Sequence, residues 1–282
     1  MELTRDHRSR TRRRLGTLLR ESESFDVVEA ALLIAADEYP DLDVARERRR
    51  LDSVGAEAER RLARIQNPFA RLDGLRAYLF EELGFHGNTE SYDDPRNSYL
   101  NEVLSRRTGI PLSLSVVFVD VARAAGFEAW GITLPGHFIA QVGLGGRRIL
   151  VDPFHGGQVI TEDDCRSLVA RSTGKATLFR RALLVPAPPR AIVVRMLINL
   201  KRIHLNREDY ARALGAVERI LVATPDDPRE IRDRGFLLAH LGNSTAAVAD
   251  LENYLTVAPS APDAEAVRGR LAWLLRRMTE AN

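Results

Sequence analysis

The chain has 282 residues, of which 45% are hydrophobic and 28% charged, and its formal net charge is +2. This composition is typical of a globular protein of one or two domains, and no apolar run reaches the ~20 residues that a membrane-spanning helix needs. The single cysteine excludes an internal disulfide, and the small net charge does not indicate nucleic-acid binding by the whole chain. No apolar segment typical of a secretory signal follows the basic N-terminus. We therefore expect a cytoplasmic protein.

The N-terminal segment is rich in arginine. We expect residues 1–24 to be a solvated segment that is disordered or frayed, as chain ends often are. An arm that contacts nucleic acid or an acidic partner is the alternative interpretation. The arginines of this segment are Arg5, Arg8, Arg10, Arg12, Arg13 and Arg14.

Residues 25–185 alternate between helical and strand-like patterns. Apolar periodicity predicts two helices before residue 66, further helices over 72–83 and 99–107, and an apolar helix that starts at a Gly109-Ile110-Pro111 turn and ends near residue 125. Strands are predicted at residues 129–133, 137–142 and 148–152, the last two joined by a glycine-rich hairpin, and another strand at 178–185. The fold class is therefore α+β, with N-terminal helices and a small antiparallel sheet.

A proline-rich segment at residues 186–190 is predicted to be a linker to a second domain. Beyond it, Pro225 and Pro259 are 34 residues apart, as are Ala213 and Ala247. A helical period of 34 residues is the signature of tetratricopeptide repeats. Residues 191–282 are thus predicted to form an all-α repeat domain, with a closing helix over 264–278.

Three residues of the first domain have the types that a nucleophilic active site requires. His137 begins one predicted strand, Asp152 ends another, and Ser113 lies in the first turn of the helix after Pro111. A carboxylate that orients an imidazole, together with a nucleophile at a helix N-terminus, can activate attack on a carbonyl group. Structural roles are the alternative for each: a hydrogen-bonded core histidine, a turn-forming aspartate and a capping serine.

The thiol that such a site would use is missing from this helix. The only cysteine, Cys165, follows the aspartate in a charged helix start, where we expect a packing residue. The six histidines show no metal-ligand spacing, and there is no phosphate-binding or dinucleotide-binding motif, so we predict no metal and no cofactor.

Several polar residues are predicted to lie near this site. His155 is close enough in sequence to Asp152 to line the same cleft. Asn97, Tyr99 and Asn101 precede the cleft helix; they could line a groove for an extended peptide or pin the entrance of the helix. In the repeats, Arg232 and Arg234 could receive an acidic partner segment or be solvated.

Several motifs occur in the order seen in a known bacterial family. The runs Asp94–Asn101, Arg106–Leu114, Leu134–Phe138 and Val151–Phe154 are distinctive. They resemble the SirB-type proteins, which combine a transglutaminase-like core with C-terminal tetratricopeptide-type repeats. The resemblance implies a papain-like α+β core in which His137 and Asp152 occupy the positions of that fold's histidine and aspartate, with Ser113 the serine nearest to the position of the usual cysteine. The family name is associated with regulation of invasion genes.

We therefore predict a non-catalytic regulatory module that binds a protein or peptide through the cleft or the repeat surface, because the thiol is absent and repeat arrays present extended binding surfaces. The alternative function is an amide-bond hydrolase or acyltransferase that uses Ser113, His137 and Asp152. A third hypothesis is a regulator that contacts nucleic acid through the N-terminal arginines. No membrane partner is expected.

Overall fold

The computed structural model describes the backbone of residues 2–21 and 24–280, and the side chains of residues 9–20 and 24–280. The chain divides into two compact units, residues 1–196 and residues 197–282. The division lies inside a helix, six residues beyond the end of the predicted linker. Within the described ranges, no helix is both long and apolar enough to cross a membrane.

In the described residues, the first unit combines α-helices with a small sheet. The predicted helices at 72–83, 99–107 and 111–125 are present with boundaries shifted by a few residues, and the first of them continues past its α-helical part as a π-helical segment, Ala77–Glu82. The helices are α1 Glu2–Glu21, α2 Val27–Glu38, α3 Val44–Leu62, α4 Pro68–Arg76, α5 Leu100–Arg106, α6 Pro111–Ala124 and α7 Glu162–Thr173.

The N-terminal segment differs from the prediction, because residues 2–21 form a helix rather than a frayed end. Leu15 and Leu19, one helical turn apart, are buried against the rest of the unit. Arg12 donates to Asp37 of α2 at 3.1 Å, and Arg14 pairs with Glu29 of the same helix. Two of the arginines proposed as a nucleic-acid arm therefore bind carboxylates of this chain. The side chains of Arg5 and Arg8 lie outside the described residues.

The main sheet is a four-stranded antiparallel meander in the order β3-β4-β5-β6. In its register Leu134 pairs with His137 at the tight turn between β3 and β4, and Ala140 pairs with Val151. Two short strands, β1 and β2, pair in parallel beside it. The strands are β1 His86–Gly87, β2 Thr108–Gly109, β3 Glu128–Leu134, β4 His137–Leu144, β5 Arg147–Asp152 and β6 Gln158–Ile160.

One prediction about the sheet was wrong. Residues 178–185 form 3₁₀ turns instead of a strand, whereas β6 was not predicted. The proline-rich segment is not a free linker: Pro186 forms a bridge with Ile132 of β3, and the Ala187 amide donates to the Gly131 carbonyl at 2.8 Å. Proline tolerates an edge position because its missing N–H is not needed there.

Helix α6 is the central helix of the first unit, and most of its residues are buried. It lies very close to α3: a Cβ built on Gly55 would be 2.6 Å from the Cβ of Ala124. On the same interface Arg48 of α3 binds both carboxylate oxygens of Asp120, at 3.0 and 3.1 Å. These contacts fix the helix whose first turn carries Ser113.

The second unit consists of helices joined by short turns, as the 34-residue period predicts. Its apolar core includes Ala213, Ala247 and Leu251, and Gly235 lets one helix approach Leu251 closely. The C-terminal helix covers this core with Val267 and Leu274. The helices are α8 Pro189–Asn206, in which the division between the units falls, α9 Tyr210–Ala223, α10 Pro228–His240, α11 Ser244–Val257 and α12 Ala264–Glu280.

Candidate functional site

The predicted histidine and aspartate are paired in the structure. His137 is the first residue of β4 and Asp152 the last of β5, and Nε2 of His137 lies 3.0 Å from Oδ2 of Asp152. Both side chains are buried, with 6% and 1% of their surface exposed. The geometry of a carboxylate that orients an imidazole is therefore present.

His155 joins this pair from the turn that follows β5. Asp152 caps the turn by accepting from the Phe154 amide at Oδ1 (3.0 Å), while Nδ1 of His155 lies 2.8 Å from Oδ2, the oxygen that His137 contacts. The His155 side chain is 43% exposed. We call His137, Asp152 and His155 the His–Asp–His cluster.

The ionisation of Asp152 determines which nitrogens carry protons. Burial favours the neutral acid, but the hydrogen bonds and charges of His137 and His155 outweigh burial and hold the pKa of Asp152 below its ordinary value. An ionised carboxylate only accepts, so His137 donates from Nε2 and His155 from Nδ1. Among the described residues, Nδ1 of His137 makes no hydrogen bond, and this is the nitrogen left to act as a base.

Ser113 is not brought to that nitrogen. Ser113 is buried, with 1% of the residue exposed, and its hydroxyl donates to the Asn97 carbonyl at 2.6 Å and accepts from the Ile110 amide at 3.1 Å. Its other acceptor is the Ile110 carbonyl at 3.2 Å. The side chain therefore fastens the first turn of α6 to the preceding segment.

Two other side chains with nucleophilic atoms, one on α6 and one on α7, are hydrogen-bonded or shielded. Ser115 donates to the Phe138 carbonyl at 3.4 Å. Cys165 is fully buried in α7, within an apolar cluster that includes Ile139 and Leu168. Burial, with a smaller effect of the Asp152 charge, raises the pKa of its thiol to about 12. A thiol in this state is not a nucleophile at neutral pH.

The polar residues predicted to line the cleft have mainly internal contacts. Asn97 is fully buried; its amide nitrogen donates to the carbonyls of Ser91 and Tyr92. Tyr99 is buried edge-on against Tyr39, with ring centroids 5.5 Å apart. The buried Oδ1 of Asn101 has no hydrogen-bond partner. Of the predicted cleft residues, only His155 belongs to the cluster.

Aromatic residues form the border of the cluster. The ring of Phe154 lies 5.1 Å from that of His155 and 6.1 Å from those of His137 and Tyr92. Tyr92 is 39% exposed. We call Tyr92, Phe154 and His155 the aromatic rim. The rim depends on Gly87 of β1, because a Cβ at Gly87 would lie 2.5 Å from the Phe154 ring.

Arg195 is a site residue that the sequence did not reveal. Its guanidinium donates to the Leu134 carbonyl at 3.1 Å and to the His137 carbonyl at 3.2 Å, which fixes the turn that presents His137. No carboxylate of the described chain pairs with it, and burial lowers its pKa. It lies 58 residues from His137 in the sequence, so no local motif could have indicated this contact.

The two arginines predicted on the repeat surface bind acids of their own unit. Arg234 contacts both oxygens of Asp250, at 2.7 and 2.6 Å. Arg232 pairs with Asp233 at 2.6 Å and with Asp263, and it lies over the Tyr254 ring. Both guanidinium groups therefore hold helices of the repeats together.

Comparison with known families agrees with this architecture. The profile of the transglutaminase-like superfamily matches residues 45–198, and a tetratricopeptide-repeat profile matches residues 200–272. The chain therefore belongs to the transglutaminase-like superfamily. Within it, the chain is one of the bacterial UPF0162 proteins, and the SirB-type resemblance and the α+β fold class are confirmed.

The relatives support this assignment along most of the chain. A UPF0162 protein of Xylella fastidiosa strain Temecula1 is 37% identical over 254 residues, covering 89% of this chain and 90% of the relative. A second, from Vibrio cholerae, is 30% identical and covers 87% and 91%. A match to a solved structure of menin covers 86% of this chain and 69% of the menin chain, with 8% identity and a TM-score of 0.40.

Proposed function

We propose that this protein is a non-catalytic binding module for protein or peptide segments. A transglutaminase-like domain joined to tetratricopeptide repeats is an architecture of protein-interaction modules. The main support for a non-catalytic role is the hydroxyl of Ser113, which is buried and hydrogen-bonded to the main chain of Asn97 and Ile110. It has no contact with the base that would activate it.

A serine needs such a base because its hydroxyl does not ionise near neutral pH. For the alternative function, an amide hydrolase or acyltransferase, Ser113 would have to leave both main-chain partners and come within hydrogen-bond reach of Nδ1 of His137. That movement would leave a buried carbonyl and a buried amide weakly satisfied, at a cost of about 1–3 kcal/mol. The static geometry therefore favours binding over acyl transfer.

The aromatic rim supports peptide binding by the first unit. Tyr92 and His155 are part-exposed rings with polar ends, and Phe154 connects them. Aromatic side chains of this kind supply contact area at a small cost in conformational entropy and are common in binding surfaces. A peptide laid across the rim would contact the His–Asp–His cluster.

Peptide binding can be tested by selecting random phage-displayed peptides on the full-length protein. We expect the enriched peptides to bind Tyr92→Ala at least about tenfold more weakly, since losing one aromatic hot spot costs about 2 kcal/mol. Phe69→Ala is the matched control, because Phe69 is also an exposed aromatic, at 49%, but belongs to α4. Equal binding by wild type and Tyr92→Ala would show that the aromatic rim is not the peptide-binding surface.

Catalysis can be tested separately with a fluorophosphonate probe, which labels activated serines. We expect no labelling of the native protein beyond that of Ser113→Ala. Labelling that disappears in Ser113→Ala and in His137→Ala would instead establish the serine hydrolase.

A further inference from the structure

We propose that His137, Asp152 and His155 form a binding site for one transition-metal ion, of which Zn²⁺ is the probe of choice. The three side chains offer Nε2, Oδ2 and Nδ1, and these atoms all lie within 4.8 Å of one another. Two imidazoles and one carboxylate are a ligand set that Zn²⁺ and other first-row metals accept. The inference does not depend on the peptide-binding proposal.

The distances are near those of a coordination sphere. Oδ2 of Asp152 lies 3.0 Å from the His137 nitrogen and 2.8 Å from the His155 nitrogen. Metal–ligand bonds of about 2.0–2.1 Å at tetrahedral angles place neighbouring ligand atoms roughly 3.3 Å apart. Two of the three separations thus need changes of only a few tenths of an ångström, and the exposed His155 is free to adjust the third.

Both imidazoles can release the nitrogen that a metal would take. In the present arrangement each of these nitrogens carries a proton directed at Oδ2, and a metal requires a lone pair there instead. Neither Nδ1 of His137 nor Nε2 of His155 has a hydrogen-bond partner among the described residues. Each ring can therefore move its proton to the outer nitrogen without breaking another bond.

The His–Asp–His cluster has one side that is buried and held in place and another that is open to solvent. His137 and Asp152 are buried, and Oδ1 of Asp152 is held by the Phe154 amide, which orients the carboxylate. The 43% exposed His155 leaves the cluster open on its own side. A metal ion held by these three protein ligands would keep one open coordination position, where water or an anionic group can bind. The spacing of the histidines does not reveal this site, because the pairing of β4 with β5 brings His137 to Asp152, 15 residues later, and the turn after β5 adds His155.

The test is titration of the chelator-treated, full-length protein with Zn²⁺ by calorimetry, with metal content measured after dialysis. We expect one equivalent to bind to wild type, and His155→Ala to weaken binding by at least about tenfold, since even outer-sphere losses cost that much. His86→Ala is the matched control: His86 is an exposed histidine that contacts Gly84 and Thr108 and should leave binding unchanged.

Two further measurements keep the result interpretable. Circular dichroism of His155→Ala checks that the substitution of this exposed residue leaves the fold intact. Co²⁺ in place of Zn²⁺ should give the visible absorption bands of a metal with few nitrogen and oxygen ligands, and these bands should be absent in Asp152→Asn. Wild type that binds no equivalent, or His155→Ala that binds as tightly as wild type, would overturn the proposal. Equal losses in His86→Ala would also overturn it, because they would assign the metal to scattered surface histidines.

Discussion

The hydroxyl of Ser113 lies 2.6 Å from the main-chain carbonyl of Asn97, sixteen residues earlier in the chain. A side chain that the sequence predicted as a candidate nucleophile here joins two backbone segments. The same hydroxyl accepts from the Ile110 amide, so its hydrogen-bonding capacity is used for the entrance of α6.

Ser113→Ala should therefore act on stability. Removing the hydroxyl leaves the buried Asn97 carbonyl without its short bond, and we expect a loss of about 1–3 kcal/mol in the free energy of unfolding. Urea denaturation followed by circular dichroism measures this loss. Ser105→Ala, on the exposed surface of α5, is the control and should stay within about 0.5 kcal/mol of wild type. A Ser113→Ala protein as stable as wild type would contradict the anchoring role.

Asp152 should make stability depend on pH in the acid range. Its pKa is lowered in the folded protein, whereas an unfolded aspartate titrates near 3.9. The stabilisation is therefore fully present above about pH 4 and is lost as the pH falls through the lower, folded pKa. The difference in unfolding free energy between wild type and Asp152→Asn, measured from neutral pH to about pH 2, should shrink in that window. A difference that stays constant down to the lowest pH would disprove this assignment.

Cys165 should be unreactive in the native protein. Because burial raises its pKa from 9.0 to about 12, the thiolate fraction at neutral pH falls about a thousandfold, and thiol reagents attack the thiolate. Ellman's reagent should thus modify Cys165 in denaturant and leave the folded protein essentially unlabelled. Rapid labelling of the folded protein would restore Cys165 as a candidate nucleophile.

Gly87→Ala should disturb the aromatic rim. The added methyl group would lie 2.5 Å from the Phe154 ring and 2.6 Å from its carbonyl, so the ring and the turn must shift, at a cost of about 1–3 kcal/mol. Thermal unfolding gives the stability, and the imidazole resonances of His155 report the displacement. Gly269→Ala is the matched control, since nothing lies within 4 Å of a Cβ there and alanine is the better residue inside a helix. Equal effects of the two substitutions would show that Phe154 is not closely packed on Gly87.

Much of the fold could be predicted because its signals lie in short segments or in a regular repeat. The Ile110-Pro111 helix start and the glycine hairpin after β4 follow from a few neighbouring residues, the repeat helices follow from the 34-residue spacing, and the elements they predict are present. Helix α1 was missed because the dense arginines suggested solvent exposure. Its order depends on Leu15 and Leu19 and on carboxylates of α2 that are distant in sequence.

The candidate site was only half predictable, for a related reason. The pairing of His137 with Asp152 follows from their positions on two neighbouring strands, and this part is observed. The direction of the Ser113 side chain depends on where the Asn97 carbonyl lies, and the contact of Arg195 with the His137 carbonyl spans 58 residues. Hydrogen bonds from a side chain to a main-chain carbonyl far away in the sequence leave no pattern in the composition or spacing of the residues that make them.

The bridge between Ile132 and Pro186 has a consequence for assembly. Beyond β3 the sheet continues with a residue that has no N–H group to offer. A strand from another molecule that approached from this side would meet a proline, whose missing donor interrupts a hydrogen-bonded ladder. By placing its own proline-rich segment against Gly131 and Ile132, the chain disfavours the pairing of another strand with this part of β3.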